Sequence, residues 1–134
     1  MSNFNRKITY IDQAEPIGLA HTVAICQDFL RDEPFAMYIG DNMLKQGAKP
    51  LIDVFERNEN DCVIRVAKVK DPSMYGVVVF DESGQIKRLV EKPKPPVSDW
   101  ALIGVYVFNR KIFEVIKKIK PSWRGELEIT DAIQ

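Results

Sequence analysis

The sequence lacks a charge bias. Its 134 residues carry 19 Lys and Arg against 19 Asp and Glu, a formal net charge of zero. That balance has no basic footprint for nucleic acid. Cysteine is scarce: Cys26 and Cys62 sit in different apolar stretches, at no metal-ligand or redox spacing. A disulfide framework or a thiolate metal centre is therefore excluded, and both read as core thiols of a reducing compartment. The single histidine, His21, falls within a helical pattern and reads as an ordinary surface or core residue. No apolar run reaches spanning length and the opening residues lack a secretory pattern, so a cytoplasmic protein without a membrane partner is expected. No internal repeat occurs.

What is present is enough to fold. Apolar residues make up 46% of the chain, which suits one domain with a core of its own. "ITYI" (8–11) reads as a short buried strand, and "IGLAHTVAICQDFL" (17–30) has helical spacing, stopped by "RDEP" (31–34) because the residue before proline leaves the helical region. "FAMYI" (35–39) is a continuous apolar run, as in a strand covered on both faces. "LIDVFERNEN" (51–60) follows Pro50 as a helix, and "CVIRVAKV" (62–69) is strand-like. "YGVVVFD" (75–81), "ESGQ" (82–85) and "IKRLVEK" (86–92) predict a hairpin, and "PKPP" (93–96) a connector. "ALIGVYVFN" (101–109) is a further buried strand, "RKIFEVIKKI" (110–119) a helix with a solvated basic face, and 121–134 a loop running into a helix. The alternation predicts an α/β fold, a mixed and mostly parallel sheet flanked by helices with a hairpin insertion.

Polar residues fall where such a sheet would bind a ligand. Asp41 in "GDN" follows the 35–39 strand directly, and open α/β sheets take ligands beyond the carboxyl ends of their strands. It can be a turn or capping residue, or one carboxylate of a hard-cation site completed by phosphate oxygens. "QAEPIGLA" (13–20) brings an amide, a rigidifying proline and a glycine, and is equally a plain strand-to-helix loop. "VEKP" (90–93) pairs a carboxylate with a cation. "WRGELEITD" (123–131) sets Arg124 among acids at a helix entry, where charge also complements the helix dipole.

Taken in order, Gln13 to Gly18, Gly40-Asp41-Asn42, Tyr75-Gly76, Glu91-Lys92-Pro93, Gly104 with Tyr106, and "RGELEITD" from Arg124 resemble the sugar-1-phosphate nucleotidyltransferases, most nearly the glucose-1-phosphate thymidylyltransferases, over roughly residues 8–134. The resemblance implies a Rossmann-like fold. It implies a transfer from a nucleoside triphosphate to a sugar 1-phosphate, glucose 1-phosphate plus dTTP giving dTDP-glucose and pyrophosphate, with Mg²⁺. By matching positions it places Gln13 and Gly18 at the nucleobase and Asp41 on the metal. Asn42, Gly76, Glu91 and Tyr106 match positions around the sugar, and Lys92 and Arg124 the phosphate. In-line attack of a phosphate oxygen on the α-phosphorus needs positioning and charge neutralisation more than acid–base groups.

The family's Gly-rich triphosphate loop and second metal carboxylate have no counterpart in the sequence, and residues 1–7, "MSNFNRK", match nothing in the pattern. Residues 1–134 are accordingly expected to be the central portion of a nucleotidyltransferase domain, inactive in isolation and a homo-oligomer, its inner strands finding partners. The alternatives are a non-catalytic sugar-phosphate or nucleotide-binding module, and a structural fragment completed by a partner.

Overall fold

The computed structural model describes residues 7–134. Its frame is one five-stranded sheet. The strands are β1 (Phe35–Tyr38), β2 (Cys62–Lys68), β3 (Gly76–Phe80), β4 (Ile86–Glu91) and β5 (Trp100–Phe108). The helices are α1 (Leu19–Ala24), α2 (Gln27–Leu30), α3 (Lys49–Arg57), α4 (Lys111–Ile116) and α5 (Ile129–Ile133), with a 3-10 turn at Pro72–Met74.

β5 is the central strand. β2 pairs along one edge of it, from Lys68 opposite Trp100 to Cys62 opposite Phe108. The other edge carries β1, with Tyr38 opposite Val105, and then β3, with Val77 opposite Ala101. β4 closes the hairpin on β3, with Gly76 opposite Glu91. Period-two alternation gives β5 two apolar faces. Val105 and Val107 pack with Leu51 under α3. Leu102, Tyr106 and Phe108 pack with Ala20 and Val23 of α1, Ile112, Phe113 and Ile116 of α4, and Ile129 and Ala132 of α5. Each fully buried Val or Phe contributes about 1.5–3 kcal/mol, so β5 holds the two helical layers together.

The α/β class and the hairpin are as expected; the strand directions need a correction. Every pairing among the described strands is antiparallel. β1 and β2 do run the same way, joined by α3, but β5 lies between them, antiparallel to both. A continuous apolar run reports burial on both faces and carries no information on a neighbour's direction. The strand expected at 8–11 is also absent: no described strand pairs with it, and Ile8 and Tyr10 are 72% and 87% exposed.

The helix expected over 17–30 is two short ones. The Cys26 N–H reaches back three residues to Val23 O at 3.1 Å, a 3-10 closure that ends α1. Thr22, Val23 and Ile25 are β-branched residues that weaken a helix at this point. α4 ends at Ile116, earlier than the predicted 119, and its lysines are solvated as expected, Lys111 pairing with Asp61 and Lys117 with Glu114. Cys26 and Cys62 are free thiols, half-buried rather than fully buried. Burial, with a smaller push from the Asp61 charge, raises the Cys62 thiol to about 12. No helix among the described residues is long and apolar enough to cross a membrane.

Candidate functional site

A cleft of about 460 Å³ opens beside β5, where β1 ends, β3 begins and β4 ends. Of the nine residues singled out in the sequence, seven line it: Asp41, Asn42, Gly76, Glu91, Lys92, Tyr106 and Arg124. They come from five separate stretches, so only the sheet brings them together.

The other two, Gln13 and Gly18, do not line the cleft. The Gln13 amide is engaged locally. Its Nε2 donates to Gly18 O at 3.3 Å and to His21 Nδ1 at 2.9 Å, and its Oε1 accepts from the Thr22 hydroxyl at 3.2 Å. It ties the 13–18 loop to the first turn of α1. Gly18 has φ +112°, and a Cβ on it would stand 2.4 Å from Leu127 O. The Ala20 N–H donates to that carbonyl at 3.0 Å, and the Leu127 N–H donates to Ile17 O at 2.8 Å. The glycine is thus required by close backbone packing against the "RGELEITD" segment.

Arg124 is the electrostatic centre of the cleft. Its Nη2 lies 2.6 Å from Glu126 Oε1, and its Nη1 lies 3.4 Å from Glu128 Oε1 and 3.6 Å from Glu91 Oε1. Glu126 and Glu128 flank the Leu127 backbone contacts, and both reach the Arg124 guanidinium. Glu128 is only 4% exposed. An unpaired carboxylate there would cost several kcal/mol. The Ser122 hydroxyl at 2.8 Å and Arg124 offset that cost. Burial still dominates and pushes the Glu128 carboxyl above the ordinary carboxylate value; the Ser122 hydrogen bond opposes it.

Glu91 is held from the opposite side. The Thr130 hydroxyl donates a hydrogen bond to its Oε2. Gly76 makes that contact possible, because a Cβ there would stand 2.7 Å from Thr130 Oγ1 and 3.0 Å from Glu91 Oε2. Lys92 follows β4 directly with φ +38°, its N–H donating to Tyr75 O at 3.1 Å. No ion pair among the described residues engages its ammonium. Tyr106 forms part of the floor, 3% exposed and stacked on Phe108 at 5.8 Å. Burial first, then the nearby Glu91 charge, pushes its phenol up to about 12, so it keeps its proton at neutral pH.

Asp41 stands at the mouth, exposed, its Oδ1 accepting from Asn42 Nδ2 at 3.1 Å. Among the described residues no group of three or more metal-ligating side chains forms a cage. A magnesium ion that keeps waters and phosphate oxygens needs only one or two carboxylates, and no ion pair among the described residues engages Asp41. The donor set thus fits one metal carboxylate completed by a ligand.

The profile of the nucleotidyl transferase family matches residues 1–134. The chain belongs to that nucleotidyl transferase family. It is 46% identical over 134 residues to a glucose-1-phosphate thymidylyltransferase of Streptomyces antibioticus, covering 99% of this chain and 38% of that relative. It is 45% identical over 133 residues to the low-salt glycan biosynthesis nucleotidyltransferase of Haloferax volcanii, covering 99% and 37%. Among solved structures, a UDP-glucose pyrophosphorylase complexed with UDP-glucose matches with TM-score 0.82 and 28% identity, over 93% of this chain and 52% of that one. This nucleotidyl transferase chain thus spans less than two-fifths of the length of those two relatives.

Sequence reasoning read Glu126 and Glu128 only as helix-entry charge and gave Ser122 and Thr130 no individual role. For the acids a signal was present: carboxylates two residues apart beside an arginine share one side of an extended segment. Thr130 gave none, since its partner lies 39 residues away.

Proposed function

We propose that residues 1–134 form the central portion of a sugar-1-phosphate nucleotidyltransferase domain, and that the cleft is its sugar-phosphate half. The reaction proposed is glucose 1-phosphate plus dTTP giving dTDP-glucose and pyrophosphate. The observation that carries the reading is the convergence of Asp41, Asn42, Gly76, Glu91, Lys92, Tyr106 and Arg124 on one cleft. In it, Lys92 and Arg124 hold the phosphate by charge-assisted hydrogen bonds. Glu91 accepts from sugar hydroxyls, and Asn42, Gly76 and Tyr106 shape the rest of the sugar pocket. Gln13 and Gly18 serve the nucleobase from the loop that leads into α1.

Charge arithmetic supports a metal. The lining carries four carboxylates, Asp41, Glu91, Glu126 and Glu128, against two cations, Lys92 and Arg124. Bringing in a phosphate deepens that negative excess. Asp41 would hold Mg²⁺, which when bound neutralises phosphate charge. The chain's own residues then do the positioning: Lys92 and Arg124 aim the attacking phosphate oxygen, and Glu91 fixes the sugar that carries it. A cytoplasmic location is consistent with the free thiols and with these substrates. A homo-oligomer is consistent with the open edge of β1, which pairs only with β5 among the described residues.

A second reading is a module that binds the sugar phosphate without turnover. It is favoured by one observation: three carboxylates already surround Arg124. Titration calorimetry with glucose 1-phosphate and with dTTP, each with Mg²⁺, tests the binding. The sugar phosphate is expected to bind more tightly, and Arg124→Ala to remove its signal. Tighter dTTP binding, or an unchanged signal in Arg124→Ala, would overturn the site. Pyrophosphate release separates enzyme from binding module.

A further inference from the structure

We infer that Ser122 is a positioning residue for Arg124: its hydroxyl joins the Arg124 backbone to the Glu128 carboxylate, so that Glu128 keeps a partner when the guanidinium turns to a phosphate. The inference rests on the sugar-phosphate reading of the cleft.

Ser122 precedes Arg124 by two residues and serves it twice. Its Oγ accepts from the Arg124 N–H at 3.2 Å and donates to Glu128 Oε1 at 2.8 Å. A serine oxygen that accepts from the N–H two residues on closes a local turn. Two backbone bonds close the same turn, Gly125 N–H to Ser122 O at 2.8 Å and Ser122 N–H to Glu126 O at 2.8 Å. The hydroxyl has a single proton. Giving it to Glu128 leaves the oxygen lone pairs to the Arg124 N–H. Glu128 Oε1 in turn stands 3.4 Å from Arg124 Nη1. One hydroxyl thus holds the backbone of Arg124 directly and its guanidinium through Glu128.

The contact with Glu128 matters most when a ligand arrives. The groups acting on the Glu128 carboxyl are Ser122, Arg124 and Glu126 from its own segment and Glu91 from β4. Of these, only Ser122 and Arg124 favour its charged form. Arg124 is shared, its guanidinium also facing Glu126 at 2.6 Å and Glu91 at 3.6 Å. A phosphate that draws Arg124 away leaves Glu128, 4% exposed, with Ser122 alone. Without that hydroxyl, Glu128 would be a buried carboxylate with no partner, or would take up a proton as Arg124 left. Ser122 therefore frees Arg124 for the ligand. Because Arg124 addresses the phosphate, the effect reaches glucose 1-phosphate and inorganic phosphate alike.

The test compares Ser122→Ala, which removes the hydroxyl, with Ser122→Thr, which keeps it. In the ligand-free chain, NMR follows the titration of the Glu128 side-chain carbonyl and hydrogen exchange at the Arg124 amide. Ser122→Ala should raise the Glu128 titration, since the Ser122 hydrogen bond lowers it, and should speed exchange at Arg124. Ser122→Thr should restore both. Calorimetry with glucose 1-phosphate and with inorganic phosphate reads the consequence. At neutral pH Ser122→Ala should lose about tenfold for both ligands, the scale of one charge-assisted hydrogen bond, with Ser122→Thr near wild type. The loss relative to wild type should shrink as pH falls through the Glu128 titration, because a protonated Glu128 makes no claim on Arg124. A Glu128 titration or an Arg124 exchange unmoved in Ser122→Ala, an unchanged phosphate affinity, a loss indifferent to pH, or an equal loss in Ser122→Thr would overturn the proposal. If the wild-type chain binds neither ligand, the sugar-phosphate reading fails, while the Glu128 titration and the Arg124 exchange still decide whether Ser122 holds them.

Discussion

Gly18 and Leu127 meet backbone to backbone: the point where a Cβ would stand on Gly18 is 2.4 Å from Leu127 O and 2.6 Å from Leu127 N. Residues 109 positions apart are thus pressed together, and two hydrogen bonds, Ala20 N–H to Leu127 O and Leu127 N–H to Ile17 O, fasten them. The contact sets where α1 begins and where the extended 126–128 segment lies. It therefore fixes the stretch from which Arg124, Glu126 and Glu128 enter the cleft.

Gly18→Ala should destabilise the chain by about 1–3 kcal/mol or more, because the methyl meets backbone that has nowhere to go and φ +112° is strained for any side chain. Urea unfolding measures it. A midpoint equal to wild type would mean the two segments are not held as described.

The burial of Glu128 makes stability depend on pH with a definite sign. Its carboxyl is raised above the ordinary value of 4.5. The folded state therefore holds that proton more tightly than the unfolded state does. The associated stability is fully present below the unfolded value and is lost as pH rises through the folded one. Glu128→Gln cannot titrate. The stability difference, wild type minus Glu128→Gln, should fall between pH about 4 and neutrality. A difference that rises with pH over that window would show the Ser122 and Arg124 contacts outweighing burial.

Asp41→Asn should abolish the effect of Mg²⁺ on glucose 1-phosphate binding and leave metal-free binding nearly unaltered. Among the described residues, Asp41 is the one lining carboxylate that no ion pair engages. Calorimetry with Mg²⁺ and with chelator checks it. A magnesium-dependent gain that survives in Asp41→Asn would move the metal to another residue.

β1 should drive self-association. The Ile39 N–H donates to Gly104 O at 2.8 Å, which by alternation turns the backbone groups of Ala36 and Tyr38 away from β5. Among the described residues nothing pairs with them. A cavity of about 340 Å³ adjoins Phe35, Ala36 and Met37 of β1, its lining shared with Ile11, Val23 and Leu30. Sedimentation velocity at micromolar concentration should show a concentration-dependent oligomer, reduced by Ala36→Lys, which sets a charge on the open edge. A wild-type monomer throughout, or an oligomer indifferent to Ala36→Lys, would contradict it.

The sequence by itself determined the α/β class, the hairpin at 75–92, the burial of β5 and the family. It did so because periodicity, turn residues and motif order are local properties. It also brought forward Asp41, Glu91, Lys92 and Arg124 as chemistry-bearing residues, since charged side chains at strand and helix ends are conspicuous in a row of letters. Only the tertiary structure decided which of these meet. The antiparallel placement of β5 between β1 and β2, and the failure of 8–11 to form a strand, depend on hydrogen-bonding partners that no local window contains. Gly18 reads as room for a nucleobase, and only the fold shows that its missing side chain also makes room for Leu127. Thr130 stood in the family string with no role of its own, because a hydroxyl acquires one only when packing brings one particular carboxylate within reach.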